Sequence, residues 1–322
     1  MRSKIPFVPR KIFPDYNISL SNFKGHHKKA ITKLGHLSPQ LDLILEVRDS
    51  RAPISTTNVL FDKILGRKKK LILYSKKDLS VLKPAVLDKW HESKLEDYMF
   101  IDCRSEQDSK KIIKRLKQMY DEMIPPPPLG MRLMIIGMPN VGKSTLVNTL
   151  REVGLAKEFA GALSTKKRKV ARTGGQPGVT RATSEMIRLS RDPDVIVNDT
   201  PGVFLPTVKD PQTMLSLALV GCINDSFLDP VIVADYLLFV LNLQDPTGSK
   251  YSEYTNHPTN DIYELLHNIA KQRGTLKPDG SYDELGTANH FVNTWRQGKR
   301  RFNSKVLFDV EAIEEISAKD DN

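Results

Sequence analysis

The fold is decided by the stretch Arg132-Leu-Met-Ile-Ile-Gly137-Met-Pro-Asn-Val-Gly-Lys143-Ser144-Thr145-Leu-Val-Asn148. Its apolar run at 133–136 predicts a buried strand, and a helical pattern follows the spacing G-x-x-x-x-G-K-S. In such a loop, successive backbone N–H groups point inward at the start of a helix, where they bind phosphate. A chance glycine–lysine loop would rarely have the strand, both glycines and the helix together. The stretch therefore predicts a phosphate site.

The loop residues expected to contact the phosphates are Asn140, Val141, Gly142, Lys143, Ser144 and Thr145. The Lys143 ammonium group should reach the β- and γ-phosphates of a nucleoside triphosphate. The Ser144 hydroxyl should hold Mg²⁺, which prefers oxygen ligands and takes several of them from phosphates and water. Mg²⁺ is therefore the predicted cofactor.

Length and charge limit the classes of protein to which the chain can belong. A chain of 322 residues usually makes two domains, and no apolar run approaches the ~20 residues that span a bilayer. The net charge of +11 and the pI near 9.4 suggest a polyanionic partner, either nucleic acid or an anionic membrane face. A basic, solvated surface without a partner is the alternative. Cys103 and Cys222 are too few for a disulfide framework and indicate a reducing compartment.

The N-terminus is strongly basic. Within residues 1–40 a single acid, Asp15, accompanies the basic residues Arg2, Lys4, Arg10, Lys11, Lys24, Lys28, Lys29 and Lys33. This composition is typical of an organelle transit peptide, here a mitochondrial one. Pro6, Pro9 and Pro14 interrupt the amphipathic helix that such peptides form, so an unstructured basic arm that contacts RNA is equally compatible.

Strand-like and helical segments alternate from residue 41 onward. Strands are predicted at 41–47, 71–74, 98–101, 133–136 and 194–198, with helices at 58–65 and 107–123. Four prolines at 125–128 end the second helix and form a stiff spacer before the strand of the phosphate loop. The alternation predicts an α/β fold with a mainly parallel, doubly wound sheet and a ligand at the carboxyl ends of its strands.

Two further segments are expected to complete the phosphate and metal site. Asp199-Thr-Pro-Gly202 follows an apolar strand and fits D-x-x-G, in which Asp199 contacts Mg²⁺ and the Gly202 N–H touches the γ-phosphate. A glycine-rich loop at 175–178 precedes Thr180, which is predicted to contact Mg²⁺ and the γ-phosphate as a first switch. D-x-x-G alone is common in turns, but here it follows an apolar strand downstream of the phosphate loop, which makes a nucleotide-binding role much more specific.

A base-reading motif is predicted at the end of the second strand, where Ser75-Lys-Lys-Asp78 resembles N-K-x-D. The Asp78 carboxylate can accept hydrogen bonds from N1–H and the exocyclic amine of guanine, and adenine lacks that donor pair. Lys76 should lie along the base plane. Ser75 stands where the pattern has Asn and shortens one polar brace between loops. Asp102 and Cys103 are placed to offer backbone N–H groups to the guanine oxygen.

The order of the motifs carries the strongest signal. Ras-like GTPases run phosphate loop, switch threonine, D-x-x-G, base motif and small-residue loop, whereas here the base motif and its companion come first. The chain looks like a circularly permuted GTPase, and it resembles the YlqF/RbgA family of ribosome-assembly GTPases. The resemblance extends to Phe23-Lys-Gly-His26-His-Lys-Lys-Ala30, Val47-Arg-Asp-Ser-Arg51-Ala-Pro53, Leu217-Ala-Leu-Val-Gly221-Cys-Ile223 and Arg296-Gln-Gly298-Lys299. The first of these departs from the family's F-P-G-H-M-x-K-A at Lys24 and His27.

The resemblance also implies how GTP would be hydrolysed. Val203 follows Gly202, where Ras-like enzymes carry the glutamine that orients water, so hydrolysis by the chain alone should be slow. In this family the histidine that corresponds to His26 is the proposed catalytic residue, brought into place on the ribosomal subunit. The alternative role for His26 is contact with RNA phosphate as part of the basic arm. Asn140 matches the residue that coordinates K⁺ in potassium-stimulated relatives, which implies stimulation by K⁺.

Three parts are predicted along the chain: a basic N-terminal arm or targeting segment at 1–22, a circularly permuted P-loop GTPase domain at 23–206, and a small all-α C-terminal domain at 207–322 that binds RNA or the ribosome. Helical apolar spacing recurs at 213–223, 262–269 and 287–295, without a series of strands. The basic runs at 166–169 and 299–301 are expected to bind rRNA phosphates rather than to be solvated faces only.

The basic N-terminus places the resemblance in the mitochondrial branch of the family. It implies a monomer that binds GTP and GDP and acts on the large mitochondrial ribosomal subunit and its rRNA, on the matrix side. Peripheral contact with the inner membrane is compatible with this reading. Two alternatives stay open: a membrane-surface or signalling GTPase, for which no lipidation motif is present, and a metabolic P-loop ATPase or kinase, against which Asp78 argues.

Overall fold

In a computed structural model of the chain, six strands form one sheet around the strand of the phosphate loop. The strands are β1 (Leu43–Asp49), β2 (Lys70–Ser75), β3 (Asp97–Phe100), β4 (Met131–Gly137), β5 (Met186–Arg191) and β6 (Asp194–Asp199). The structure describes residues 7–20, 32, 34–66, 68–92, 96–155, 186–191, 193–199, 208–275, 277, 279–298 and 305–313.

The strand order is β3–β2–β1–β4–β6–β5. β1 pairs in parallel with β2 and β4, β2 pairs in parallel with β3, and β6 pairs in parallel with the other side of β4. Among these strands, only β5 is antiparallel, at the outer edge beside β6. Because parallel neighbours end at the same edge, the residues that follow β1, β2, β4 and β6 meet there. The predicted mainly parallel sheet is confirmed.

The helices follow the predicted alternation. Those with described bounds are α1 (Val59–Leu65), α2 (Pro84–Glu92), α3 (Glu106–Asp121), α4 (Lys143–Gly154), α5 (Pro211–Leu219), α6 (Pro230–Gln244), α7 (Ile262–Arg273) and α8 (Glu284–Arg296). The side chains of Asn58 and Ser105 cap α1 and α3, which fixes the start of each helix directly after a loop.

Alternate residues of the central strands face two separate apolar cores. Leu45 of β1 and Ile135 of β4 belong to a large core that includes residues of α3, α4 and the C-terminal helices. Ile44 and Ile136 belong to a smaller core on the opposite face, beneath α1. Burial on both faces explains why the strands read as continuous apolar runs, as expected of a doubly wound sheet.

The C-terminal part is helical, as predicted, but it contains one helix that the sequence pattern did not reveal. α6 is buried over most of its length, from Val233 to Asn242. A helix that is apolar on all sides shows no periodic polar face, so helical spacing does not identify it. The short helix α2 and the edge strand β5 were missed for a different reason, since each is too short to show a clear period. None of the described helices could span a membrane.

Residues 7–20 have no regular secondary structure, yet they bind firmly to α6. The Phe13 side chain is buried and packs edge-on against Tyr236, with ring centroids 5.0 Å apart. Arg10 forms a salt bridge of 2.6 Å with the buried carboxylate of Asp235, to which Tyr16 donates at 2.9 Å. An unstructured arm is therefore wrong for residues 7–20. Residues 1–6, 21 and 22 of the predicted arm lie outside the described residues.

The segment 305–313 returns from the helical domain to the sheet. The Val306 N–H donates to the Leu79 carbonyl at 3.0 Å. The Asp309 carboxylate accepts the backbone N–H groups of Ile54 and Ser55, each at 2.8 Å, and the Ser55 hydroxyl at 2.6 Å. Burial raises the pKa of the Asp309 carboxyl to about 6, although these hydrogen bonds act in the opposite direction.

Asp309→Asn should stabilise the protein at about pH 8, because Asn keeps an acceptor for both N–H groups and can donate to the Ser55 hydroxyl without carrying charge. A carboxyl whose folded-state pKa is raised stabilises the fold below its unfolded pKa of 3.8, and this contribution is lost as the pH rises through about 6. The gap between the two proteins should therefore open over this range and reach at most about 3 kcal/mol. Urea unfolding across the range measures it, and parallel pH profiles would contradict the buried ionisation.

Candidate functional site

The phosphate loop runs from the end of β4 to the start of α4, at the carboxyl edge of the sheet. Gly137 and Gly142 have φ angles of +149° and +106°, which favour glycine. A Cβ atom on Gly137 would lie 2.3 Å from the Val47 carbonyl oxygen, and one on Gly142 would lie 2.9 Å from the Cys103 sulfur. Both positions of the predicted motif therefore favour glycine for two reasons: the backbone has a positive φ angle, and a neighbouring atom leaves little room for a Cβ atom.

Lys143, Ser144 and Thr145 form the first turn of α4, where the helix dipole places its positive end. The Lys143 side chain is buried, and its Nζ donates to the Met138 carbonyl at 2.7 Å, across the loop. N–H donors and a cation thus converge on one point, which is the arrangement that binds a phosphate chain.

The predicted magnesium ligands carry oxygen atoms, which are the donors that the ion prefers. Asp199 ends β6 and lies opposite Ile135 in the register with β4, so it reaches the same edge of the sheet as Ser144. A hydroxyl and a carboxylate, completed by phosphate and water oxygens, form a ligand set that suits Mg²⁺. Thr180, Gly202 and His26 lie outside the described residues, as do the basic runs at 166–169 and 299–301.

The base-side loop follows β2, beside the phosphate loop. Ser75 ends β2, and its hydroxyl donates to the Val141 carbonyl of the phosphate loop at 2.6 Å. Lys76 has a left-handed conformation with φ of +56°, and Asp78 lies in a 3₁₀ turn, Lys77–Leu79. The serine that departs from the expected pattern therefore still braces the two loops against each other.

The buried carboxylate of Asp49 lies behind Lys76, and sequence analysis assigned it no role. Its Oδ2 is 2.8 Å from Lys76 Nζ and 2.9 Å from an Arg51 guanidinium nitrogen, while Oδ1 accepts from Arg51 Nε at 3.0 Å. Burial alone would raise the pKa of Asp49, but the charges of Arg51 and Lys76 outweigh it and hold this pKa well below its usual range. The ionised carboxylate therefore fixes the direction of the Lys76 side chain.

Arg51 also joins the base side to the helical domain. Its Nη1 donates to the Arg296 carbonyl at 2.8 Å, at the end of α8, and its guanidinium lies 5.5 Å from the centre of the Phe308 ring. The Arg296 side chain in turn donates to the Ala218 carbonyl at 2.8 Å, near the end of α5. The sequence signal for Asp49 and Arg51 was their spacing directly after a strand, within the segment 47–53 that resembles the family.

The helical domain touches the phosphate loop as well. Asn140 Nδ2 donates to the Gly221 carbonyl at 2.8 Å, and the Cys222 thiol donates to the Pro139 carbonyl at 3.0 Å. The contact turns the amide nitrogen of Asn140 toward Gly221, and a K⁺ ion at this position would be bound through the amide oxygen, which is the acceptor atom of the group.

Arg104 connects the two carboxylates of the base side. It donates to Asp78 Oδ2 at 2.8 Å and to Asp102 Oδ1 at 2.9 Å. A guanidinium group carries the same kind of paired N–H donors as one edge of guanine, so guanine would have to displace Arg104 from Asp78. The exchange costs little, because the Arg104 side chain is 67% exposed. The Asp102 N–H donates to the Asp108 carboxylate at 2.8 Å, which leaves the Cys103 N–H as the candidate donor to the guanine oxygen.

Comparison with known proteins agrees with this geometry. The family described as 50S ribosome-binding GTPase matches residues 132–275, from the strand of the phosphate loop into the helical domain. Mitochondrial GTPase 1 of Saccharomyces cerevisiae is 40% identical over 331 residues, covering 95% of this chain and 85% of that protein. Mitochondrial ribosome-associated GTPase 1 of Xenopus tropicalis is 32% identical, covering 86% and 91%. A GDP-bound YlqF structure has a TM-score of 0.57 at 20% identity and covers 86% of this chain and 97% of its own.

The fold and the site define a circularly permuted P-loop GTPase, an enzyme that hydrolyses GTP to GDP and phosphate. The base motif precedes the phosphate loop in the sequence, and the parallel sheet brings the two together in space. The chain belongs to the mitochondrial GTPase 1 family.

Arg51→Met should lower the free energy of unfolding by about 3–5 kcal/mol, because it leaves the buried carboxylate of Asp49 with one cation instead of two. Affinity for GDP should fall as well, since the group that aligns Lys76 is no longer fixed. Urea unfolding and calorimetric titration measure the two effects. The control is Asp49→Asn with Arg51→Met, which removes the uncompensated charge and should recover part of the stability. Wild-type stability in the single variant would contradict the role of the pair.

Asp78→Asn should weaken GDP binding about 100-fold or more, because an amide cannot accept both N–H bonds of guanine. Binding of xanthosine diphosphate should improve, since the Asn amine can donate to the carbonyl that xanthine carries in place of the amine. Competition between the two nucleotides measures this preference, with Asp121→Asn, at the exposed far end of α3, as the matched carboxylate control. Unchanged GDP affinity in Asp78→Asn would remove this residue from the base site.

Proposed function

We propose that the protein is an assembly factor for the large mitochondrial ribosomal subunit, which it binds in the GTP state and leaves after hydrolysis. The names of its relatives, which include mitochondrial ribosome-associated GTPase 1, support this role. The observation that carries the proposal is the contact of the helical domain with both nucleotide loops, through Asn140 and Gly221 and through Arg51 and Arg296. A partner bound to that domain would thereby act directly on the nucleotide site.

In this proposal the nucleotide is held at three places. The phosphates are bound by Asn140, Val141, Gly142, Lys143, Ser144, Thr145 and Gly202. The base is held by Ser75, Lys76, Asp78 and the backbone of Cys103, with Asp102 acting through its ion pair with Arg104. The ion Mg²⁺ is bound by Ser144, Thr180 and Asp199. The GTPase domain is 23–206 and the helical domain is 207–322, to which residues 7–20 attach.

Catalysis in this proposal needs a group from outside the second switch, because Val203 cannot orient water. His26 is the candidate, since a neutral imidazole can accept a hydrogen bond from the attacking water. The Val208 N–H donates to the Leu20 carbonyl at 3.0 Å, so the chain segments that carry His26 and Gly202 start from one point. Six extended residues reach about 20 Å, so the length of the chain allows His26 and Gly202 to lie close together. A K⁺ ion on the Asn140 amide oxygen would add positive charge beside the phosphates.

The site of action in this proposal is the mitochondrial matrix. The names of the relatives support the mitochondrion as the organelle. The protein acts there as a monomer. Any contact with the inner membrane would be peripheral and would depend on the basic surface, since none of the described helices is long and apolar enough to cross a bilayer.

GTP turnover in potassium buffer should rise about 100-fold or more when purified large ribosomal subunits are added, because the subunit supplies or positions the missing catalytic group. His26→Ala should abolish this stimulation but retain subunit binding, whereas the neighbouring His27→Ala serves as the matched control. The same assay in sodium buffer tests K⁺, and equal rates in the two salts would remove that part of the proposal.

The ribosomal role fails if large subunits neither bind the protein nor stimulate it. A membrane-surface or signalling GTPase would then be the better explanation, and binding to anionic lipid vesicles would be the next measurement.

A further inference from the structure

A row of lysines lies on the outer face of α3, and none of the functions assigned above uses it. α3 buries Ile112, Leu116 and Met119 against the core of the sheet. The opposite side of the helix carries the residues that we call the α3 lysine face: Lys110, Lys111, Lys114 and Lys117. The first three are exposed and Lys117 is half-exposed.

Nearby carboxylates do not neutralise this face. Asp97 and Glu122 both accept from Arg115, and Glu122 also pairs with Lys69 at 2.9 Å. Glu106 and Asp121, at the two ends of α3, are four residues from Lys110 and Lys117, so they offset part of the charge at the ends of the face but not at Lys111 and Lys114. Within the described part of the chain, none of these carboxylates forms an ion pair with the α3 lysine face.

The spacing of the lysines opposes the stability of the helix. Lys110 and Lys114 are four residues apart, and Lys114 is three residues from both Lys111 and Lys117, so like charges lie one above another on adjacent turns. A helix that needed only to pack against the sheet would gain nothing from this pattern, whereas a polyanion bound to it would relieve the repulsion.

A groove of about 360 Å³ lies beside the lysine face, between α3 and the edge strand β3. Leu71, Tyr98 and Met99 line it from the strands, and Lys111, Lys114, Arg115 and Gln118 line it from the helix. Asp97 also lines the groove, where its carboxylate is paired with Arg115. Because β3 is the last strand on this side of the sheet, the groove opens at the edge of the domain. An apolar surface with a basic rim can accept an unstacked base while cations contact the flanking phosphates.

The features of the face favour RNA over a membrane. A helix that binds at a lipid surface inserts its apolar side, and the apolar side of α3 is already buried in the core. The large exposed hydrophobic side chains of the described residues lie elsewhere, none of them on α3. The lysines span about 10 Å along the helix, which is enough to follow several successive phosphates of one strand.

We propose that the α3 lysine face binds the phosphate backbone of an unpaired RNA segment, with one base entering the groove beside β3. This inference rests on the proposed function, since the RNA would belong to the large ribosomal subunit. It adds a contact surface on the GTPase domain that is separate from the helical domain.

The test is a triple charge reversal, Lys110→Glu, Lys111→Glu and Lys114→Glu, in the full chain. Binding of a labelled single-stranded oligouridine probe should weaken at least tenfold, and the slope of log affinity against log salt should fall by about 2. Binding of large subunits with a non-hydrolysable GTP analogue should weaken in parallel, while turnover of GTP without subunits stays unchanged. The milder triple replacement by Gln should give an intermediate loss, which separates charge from misfolding.

The matched control reverses three exposed basic residues that are scattered over the GTPase domain, Lys63, Lys83 and Arg191, and so changes net charge equally. The proposal is overturned if the control loses as much RNA affinity as the α3 variant, or if the α3 variant binds RNA like the wild type. It is also overturned if the α3 variant loses only binding to anionic vesicles. Failure of the ribosomal role shows separately, as absence of subunit binding by the wild type.

Discussion

The nucleotide site depends on one buried carboxylate, that of Asp49, and on the two cations that neutralise it. Burying the charges of Asp49 and Arg51 is costly, and an apolar cluster of similar volume would often be as stable or more stable. The ionic cluster instead fixes the orientation of the side chains that it joins. Its bidentate bond fixes Arg51 against the end of α8, and its remaining lone pairs fix Lys76 beside the predicted base position. An apolar cluster could align neither group.

A second connection completes the junction on the phosphate side. The Arg296 carbonyl accepts a hydrogen bond from Arg51, and the Arg296 side chain donates to the end of α5. The residues that follow α5, Gly221 and Cys222, form hydrogen bonds with the phosphate loop. The helical domain therefore bridges the base loop and the phosphate loop. By thermodynamic reciprocity, any ligand that changes the position of this domain must change nucleotide affinity, and the nucleotide must change the affinity of that ligand by the same factor.

Sequence reasoning found the permuted order and the parallel sheet because the strands, the glycine-rich phosphate loop and the carboxylates after the strands each have a local signature. It missed α6, whose uniform burial removes the periodicity on which helix prediction depends. It gave Asp49 and Arg51 no role, because their importance comes from Arg296, which lies 245 residues beyond Arg51 in the chain. It could not show that the Asp102 N–H is hydrogen-bonded to the Asp108 carboxylate, or that residues 7–20 pack against the helical domain, because both features depend on tertiary contacts.

The chain order suggests that the helical domain, which follows D-x-x-G directly, responds to the γ-phosphate. The described contacts have a different character. They reach the base loop through Arg51 and the phosphate loop through Asn140. Contacts with these two loops would respond to either nucleotide, because GTP and GDP share the base and the β-phosphate. In the proposed site the γ-phosphate is contacted by Lys143, Thr180 and Gly202. The helical domain would then receive one signal for occupancy, through the two loops, and a second for the γ-phosphate, through these three residues.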